Sequence, residues 1–431
     1  MKNFLTSGFL LLVGLLAFAS PQTAQAADIT VGPGGTYNSI GAAIAAAANG
    51  DRILVKPKTI PYGENITINK GLTFLSQDEG TYFNCSGTWT ITLANTTQHV
   101  TIIGLRLLTG SIISNTAPTG SGRSRVKVLS SVVRDGNINL YNYANFDITV
   151  ANDSVSNGFV WLRYGKVMGN YISSNNANES LRVFDDNVAS TDSVWVVGNR
   201  VRGARAASFW TIYLSSATQF IYCVNNHLIV NPINTGADYG IYCDNWKTTG
   251  GGFNVIANNT IYSGRNTSPY PATQYGINLV NITTNSQIVG NVLTGAVNGN
   301  GTNIALIQTG ANNFVLAYNH LRNLRISAVA GVSLSLNNQT SNVTVDAVTG
   351  ALTGGTNNAV DTIPLTDPEY TDVDLTAGDA GAYGASFTLS NFHPFVSLTA
   401  ADNTARVFWM RAPRRVLQGG SLNVQASGYD R

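Results

Sequence analysis

Charge is scarce in this sequence: Asp, Glu, Lys and Arg together make up 11% of 431 residues and leave a net charge of +2. That balance excludes a solvated, disordered chain, and the 44% of apolar residues can bury a large core. The eighteen Arg and seven Lys are interspersed with acids. No basic stripe exists to cover a phosphate backbone, so nucleic acid is not an expected partner. Cysteine is limited to Cys85, Cys223 and Cys243, an odd count that excludes a disulfide framework. Cys223 and Cys243 are left to pair in an oxidising compartment or to remain two buried thiols. Of the four histidines, His99 and His393 stand alone, while His227 and His320 follow a recurring asparagine and are expected in turns. Zinc ligands at suitable spacing are missing, so no metal site is expected.

Long apolar runs are missing too, except at the start. Lys2, an apolar run over residues 9–18 and the small-x-small sequence Ala24-Gln25-Ala26 make residues 1–26 read as a secretory signal peptide. The run is shorter than the roughly 20 residues that span a bilayer. Its removal leaves 405 residues with no further candidate span. The expectation is an exported, extracellular or surface-associated monomer.

What the sequence has in abundance is one short pattern. Over residues 100–348 it returns to an apolar pair, a small or polar residue, Asn, a spacer and another apolar residue. Clear copies are Val167-Met168-Gly169-Asn170-Tyr171-Ile172, Val196-Val197-Gly198-Asn199-Arg200-Val201, Cys223-Val224-Asn225-Asn226-His227-Leu228, Ile256-Ala257-Asn258-Asn259-Thr260-Ile261, Ile288-Val289-Gly290-Asn291-Val292-Leu293 and Leu316-Ala317-Tyr318-Asn319-His320-Leu321. Their asparagines are 29, 27, 33, 32 and 28 residues apart, a period that means a solenoid, propeller or array. A second alternating run follows each copy, as at residues 210–216, 239–245, 275–281 and 304–308. Short strands without helical stretches exclude helical solenoids, and the period is too short for four-stranded propeller blades. One coil of a parallel β-helix fits. Identical positions then stack about 4.8 Å apart, where buried Asn side chains can satisfy one another. The recurring Asn is therefore structural. At the start, Asn38-Ser39 can cap a helix with Ile40, Ala43, Ile44 and Ala47 on one face, ended by Asn49-Gly50, a lid across the first coil.

The segments Ile29-Thr30-Val31, Asp51-Arg52-Ile53-Leu54-Val55-Lys56-Pro57, Tyr62-Gly63-Glu64-Asn65-Ile66-Thr67-Ile68 and Leu72-Thr73-Phe74-Leu75 resemble the opening of secreted right-handed parallel β-helix proteins of the pectate-lyase-like superfamily. Asp372-Val373-Asp374-Leu375 and Asp379-Ala380-Gly381-Ala382-Tyr383-Gly384 are similar to the ending of many bacterial β-helix domains. The resemblance covers roughly residues 28–384 and implies an all-β, right-handed parallel β-helix over residues 27–384, with residues 385–431 as a small C-terminal β module. It implies little about the reaction, because the superfamily includes lyases, hydrolases, esterases, epimerases and proteins without known activity.

The outer face of one sheet of such a solenoid is a shallow groove suited to a polymer. If the second-run strands are residues 160–164, 183–187, 212–216, 241–245 and 277–281, one outward column reads Trp161, Phe184, Tyr213, Tyr242, Asn278. The next reads Arg163, Asp186, Ser215, Asp244, Val280. Aromatic faces stack on sugar rings, and carboxylates two coils apart, about 9.6 Å, leave room for a water. The candidate catalytic residues are Asp185, Asp186 and Asp244, and the candidate substrate-binding residues are Trp161, Arg163, Tyr213 and Tyr242. A one-residue slip would invert every assignment.

Family signatures for a particular reaction are incomplete. Asp185-Asp186 is similar to the paired aspartates of polygalacturonase-like hydrolases, but Gly-His-Gly is absent and Ser327 follows Arg325-Ile326 where that family has Lys. A pectate-lyase calcium cluster is not found among the scattered Asp185, Asp186, Asp238 and Asp244. The Asp-Phe-Ile-Phe-Gly and Gly-Arg-Pro-Trp signatures of pectin esterases are missing. No cofactor is required, with calcium the one optional ion, for which Asp367, Asp372, Asp374 and Asp379 are candidates. The expected function is binding, and cleavage, of an extracellular polysaccharide; the alternative is a non-enzymatic surface or adhesive protein.

Overall fold

The computed structural model describes residues 26–175, 177–184, 193–203, 209–230, 237–247, 252–263, 273–280, 286–295, 305–309, 314–321, 325–327, 332–336, 339–340, 343–353, 363, 377, 379–384, 392, 406–411 and 424–429. All but the last residue of the expected leader lies outside this set.

Three strands recur from coil to coil, as in Val100–Ile103, Leu105–Leu107 and Ile112–Ser114. Their stacking makes a first sheet of 13 strands, a second of 12 and a third of 11, and every pairing recorded within them is parallel. The protein is a right-handed parallel β-helix, as the repeat and the resemblance imply. Its inward column on the first sheet, Ile102, Val128, Val150, Val167, Val196, Cys223, Ile256, Ile288 and Leu316, registers residue for residue from coil to coil. All are buried. Branched side chains suit a pleated surface, and each one fully buried contributes roughly 1.5–3 kcal/mol.

Between first and second sheets the chain turns through one residue of positive φ, such as Gly169 (65°), Gly198 (62°), Asn225 (54°) or Asn258 (52°). Glycine and asparagine adopt this conformation most cheaply, which explains the small or polar residue before each repeated Asn. The repeated Asn itself then enters the corner and is buried. Asn199 Nδ2 donates to Asn226 Oδ1 at 3.0 Å and to the Val167 carbonyl at 2.8 Å, and its backbone N–H donates to the same Asn226 Oδ1 at 2.9 Å. The pattern repeats for Asn170, Asn226, Asn259 and Asn291, and ends at Asn319. The structural reading of these asparagines holds.

The lid forms, but its helix ends at the cap residue Ala47, whose N–H donates to the Ala43 carbonyl, before reaching the expected stop at Asn49-Gly50. Helix Ile40–Ala46 is capped by Ser39, whose hydroxyl accepts from the Ala42 N–H, and it buries Ile40, Ala43 and Ile44. Unforeseen partners finish both ends: Glu64 accepts from the Ile40 and Gly41 amides, and Lys70 Nζ donates to the carbonyls of Ile44, Ala45 and Ala47. Carboxylate and ammonium thereby meet the helix dipole with complementary signs.

The second residue of each apolar pair points outward, yet the column Leu75, Ile103, Leu129, Ala151, Met168, Val197, Val224, Ala257, Val289 and Ala317 is buried. Part of its cover is the chain beyond the last coil. Ile363 and Phe392 pack in this cluster, and the Phe392 ring fills the space beside Gly169 and Gly198. The Gly-Ala-Tyr-Gly ending belongs to the same return path. Gly381 N–H donates to the Gly290 carbonyl, while Asn225 Nδ2 donates to the carbonyls of Ala382 and Gly384. The chain thus runs back along the corner instead of only closing its end. Strands Arg406–Arg411 and Gln425–Tyr429 form a separate antiparallel pair.

Of the two alternatives left open for Cys223 and Cys243, the fold holds buried thiols: all three cysteines are free and buried, and burial pushes each thiol well above its ordinary value. One smaller expectation needs correction. His227 and His320 are not turn residues. Each opens a strand of the second sheet and is buried, with Gly350 of the returning chain packed on the His227 ring. Among the described residues no helix is long and apolar enough to cross a membrane.

Candidate functional site

The aromatic side chains gather on the outer face of the third sheet. Its inward positions, Leu162, Val183, Leu214 and Cys243, fill the core and so fix the alternate residues outside. One outward column reads Trp161, Arg182, Tyr213, Tyr242, Asn278. Arg182 stands where Phe184 was expected. The strand is Glu179–Phe184, so its outward positions fall two residues earlier than the expected 183–187, a shift that preserves the facing. Phe184 pairs with Ser215 in the neighbouring column. Asp244 was expected beside Ser215, but the register shifts after Leu214 and Ser215 pairs with Asn245 instead, leaving Asp244 in a bulge.

The rings form a contiguous surface. Phe184 stacks on Tyr213 at 6.1 Å between centroids, and Tyr213 stacks on Tyr242 at 5.4 Å. A second row, Trp210, Tyr239 and Tyr275, stacks at 6.0 and 4.9 Å and meets the first edge-on or tilted, as between Tyr239 and Tyr242 at 5.5 Å. Trp161 carries Phe159 on its face at 4.0 Å. The sequence reading missed this second row. Its signal was an aromatic three residues before each of Tyr213, Tyr242 and Asn278. Strict alternation would place such residues on opposite faces. They share a face because the alternation breaks between them, where Thr211 and Gly240 are buried. At Gly240 a Cβ would meet the Gly276 carbonyl oxygen at 2.5 Å and the Ile261 side chain at 2.7 Å.

Arg182 lies amid this surface, its guanidinium 4.5 Å from the Tyr141 ring centre, 5.0 Å from those of Phe184 and Tyr213, and 5.7 Å from that of Trp161. Its polar partners are distant: Glu179 at 3.8 Å and the Tyr141 hydroxyl at 3.4 Å. Arg163, just past strand Val160–Leu162, lies 5.8 Å from the Tyr141 ring centre. The Nε atoms of both arginines are buried without a hydrogen-bond partner. Planar guanidinium groups stack on rings while keeping their in-plane N–H fork available.

Of the expected acids, Asp244 is placed at the rim, where its Oδ2 accepts from the Tyr213 hydroxyl at 2.6 Å. Burial first, and this hydrogen bond second, hold the Tyr213 hydroxyl well above the ordinary phenol range. Tyr239 and Tyr242 are raised chiefly by burial, so these phenols remain neutral donors. Asp185 and Asp186 lie outside the described residues. Asp238 is buried rather than presented to the face. Among the described residues no group of three His, Cys, Asp or Glu is placed to hold a metal ion. Of the four aspartates named as candidates for an optional calcium ion, Asp367, Asp372, Asp374 and Asp379, only Asp379 is described, and its backbone carbonyl is taken by Asn258 Nδ2.

The arrangement can therefore stack flat, weakly polar rings along the solenoid axis, donate hydrogen bonds from phenols, and offer two guanidinium groups to an anion. No family profile, curated protein or solved structure matches this chain.

Proposed function

We propose that the protein is an exported β-helix that binds an extracellular polysaccharide lengthwise on the outer face of its third sheet. The observation that carries this reading is the continuous ring surface around Arg182, with Phe184, Tyr213 and Tyr242 in one row and Trp210, Tyr239 and Tyr275 in the other. Coils follow one another at about 4.8 Å, so successive rings offer successive sugar faces a repeated platform. Aromatic side chains bury large apolar areas at low entropy cost, which favours them for a partner that is apolar on one face and hydroxylated at its edge. Arg163 and Arg182 suit the face to a glycan with anionic substituents. The resemblance of residues 28–384 to the pectate-lyase-like superfamily agrees with a polymeric carbohydrate ligand.

Cleavage is the second step of this reading. Asp244, with Asp185 and Asp186, supplies the candidate acids, whereas the hydrogen bond from Tyr213 favours a binding role for Asp244 itself. Retention of the purified chain on immobilised neutral, uronate-containing and sulfated polysaccharides, with and without calcium, tests the proposal. Binding to at least one glycan should weaken about fivefold in Tyr213→Ala, since the loss of one ring contact is worth on the order of 1 kcal/mol. New reducing ends that disappear in Asp244→Asn would add hydrolysis or elimination; retention without product would favour the adhesive protein. No retention on any glycan overturns the reading.

A further inference from the structure

Among the described rungs of the asparagine corner one carries a carboxyl group, and its surroundings are those of an amide. Continuing the ladder backwards from Asn170, the rung positions are Asp153, Ser131 and Leu105. The Leu105 N–H donates to Ser131 Oγ, the Ser131 N–H to Asp153 Oδ1 at 2.6 Å, and the Asp153 N–H to Asn170 Oδ1 at 2.9 Å. Asp153 Oδ1 thus plays the part of an asparagine Oδ1. Its Oδ2 occupies the position that Nδ2 holds in every later rung.

In those rungs Nδ2 makes two donations: one to the next Oδ1 and one to the carbonyl three residues before the preceding rung. Asn170 Nδ2, for example, donates to Asn199 Oδ1 and to the Val150 carbonyl. The equivalent groups for Asp153 are Asn170 Oδ1 and the Val128 carbonyl, both acceptors. Asp153 is fully buried, and its Oδ2 has no hydrogen-bond partner. An ionised carboxylate would turn a second oxygen towards two acceptors in a fully buried site. A carboxylic acid would supply the missing donor.

We propose that Asp153 holds its rung as the neutral carboxylic acid, its Oδ2–H donating where the asparagines donate through Nδ2, so that the corner loosens when this group ionises. Burial holds the group well above the ordinary carboxylate range, opposed only by the backbone amides of Ser131 and Ala151. No charged side chain is among the groups acting on it: the next coil presents Asn170, the preceding one Ser131 and the Val128 carbonyl, and its own coil Asn152 and Ser154.

The sign follows from linkage. The folded chain keeps the proton more tightly than the unfolded chain, so the contribution of Asp153 to stability is complete below the unfolded value of about 3.9 and is lost as pH rises towards the folded value. Buried His227 and His320 act in the opposite sense. Burial and Arg200 push His227 down to about 3, against Asp346, and burial pushes His320 down to about 4. Their contribution is lost as pH falls below about 6.5. Because they are common to wild type and variant, they cancel in a comparison.

Denaturant unfolding of the full chain from pH 4 to pH 8, wild type against Asp153→Asn, tests the proposal. The ratio of the two unfolding constants should rise with pH, by up to about tenfold per unit, and level off above the folded-state midpoint. The variant should be the more stable protein at pH 8. A ratio independent of pH, or a variant less stable than wild type at pH 8, overturns it. Should the amide variant fail to fold, Asp153→Ser, which repeats the Ser131 rung, serves with a second readout. Infrared spectra at pH 7 should show the carbonyl stretch of a protonated carboxylic acid in the wild type, lost in this variant. Absence of that band from the wild type also overturns the proposal.

Discussion

The asparagine corner and the aromatic face are built on the same coils, yet they are held in register by different means. In the corner each side chain is buried and bonded to the coils before and after it, so a slip would strand several polar groups at once. On the aromatic face the side chains touch water, and register is inherited from the inward residues beneath. There the face absorbs a bulge at Asp244 and an interruption at Gly240 without losing its stacked rings. A repeated residue with several obligatory partners is legible in sequence. A repeated residue held only by stacking is not, because neighbouring positions can substitute for it.

Substitutions can break that comparison, beginning with the largest effect. Asn226→Ala removes the acceptor for the Asn199 N–H and Nδ2, together with donations to Asn259 Oδ1 and the Val196 carbonyl. Leaving such buried groups unpaired costs about 1–3 kcal/mol each, so a loss of about 3 kcal/mol or more is expected in denaturant unfolding. A smaller loss would mean that the corner relaxes. Tyr213→Phe should cost about 1 kcal/mol, the net worth of the hydrogen bond to Asp244, while preserving the ring stack. Calorimetric unfolding would detect it. Tyr242→Ala sharpens the contrast most: its stability should stay within about 1 kcal/mol of wild type, because its ring is half-exposed and supports no buried polar group. An effect as large as that of Asn226→Ala would place the aromatic face in the framework of the fold rather than on its surface.

The corner shows how far repeats can be read. Asn170, Asn199, Asn226, Asn259, Asn291 and Asn319 stood out by spacing and sequence context, and each occupies its expected rung. Asp153 and Ser131 did not stand out, since they fill the same rungs with different chemistry. On the face, Trp161, Tyr213 and Tyr242 share one column as read, but Arg182 replaces Phe184 within it. The misplaced strand had the correct parity, and periodicity of two cannot distinguish a shift of two residues. The buried outer column on the first sheet was visible as the second member of each apolar pair, but nothing local indicated that residues as distant as Ile363 and Phe392 would pack against it.

By itself the sequence determined the coil: an inward apolar residue, a corner of positive φ, an Asn that must find partners above and below, and a capping helix with one apolar face. These are local requirements repeated at a fixed period, and stacking is the arrangement that satisfies them together. Only the tertiary structure decided which outward residues meet, because that depends on bulges and strand starts in separate coils. It placed Arg182 among the rings of Tyr141, Trp161, Phe184 and Tyr213, tied Asp244 to Tyr213, and laid the Gly-Ala-Tyr-Gly segment back along the corner. Apart from Arg182 with Phe184 on its own strand, those contacts join residues from different coils, or more than a hundred positions apart, whose proximity no local pattern encodes.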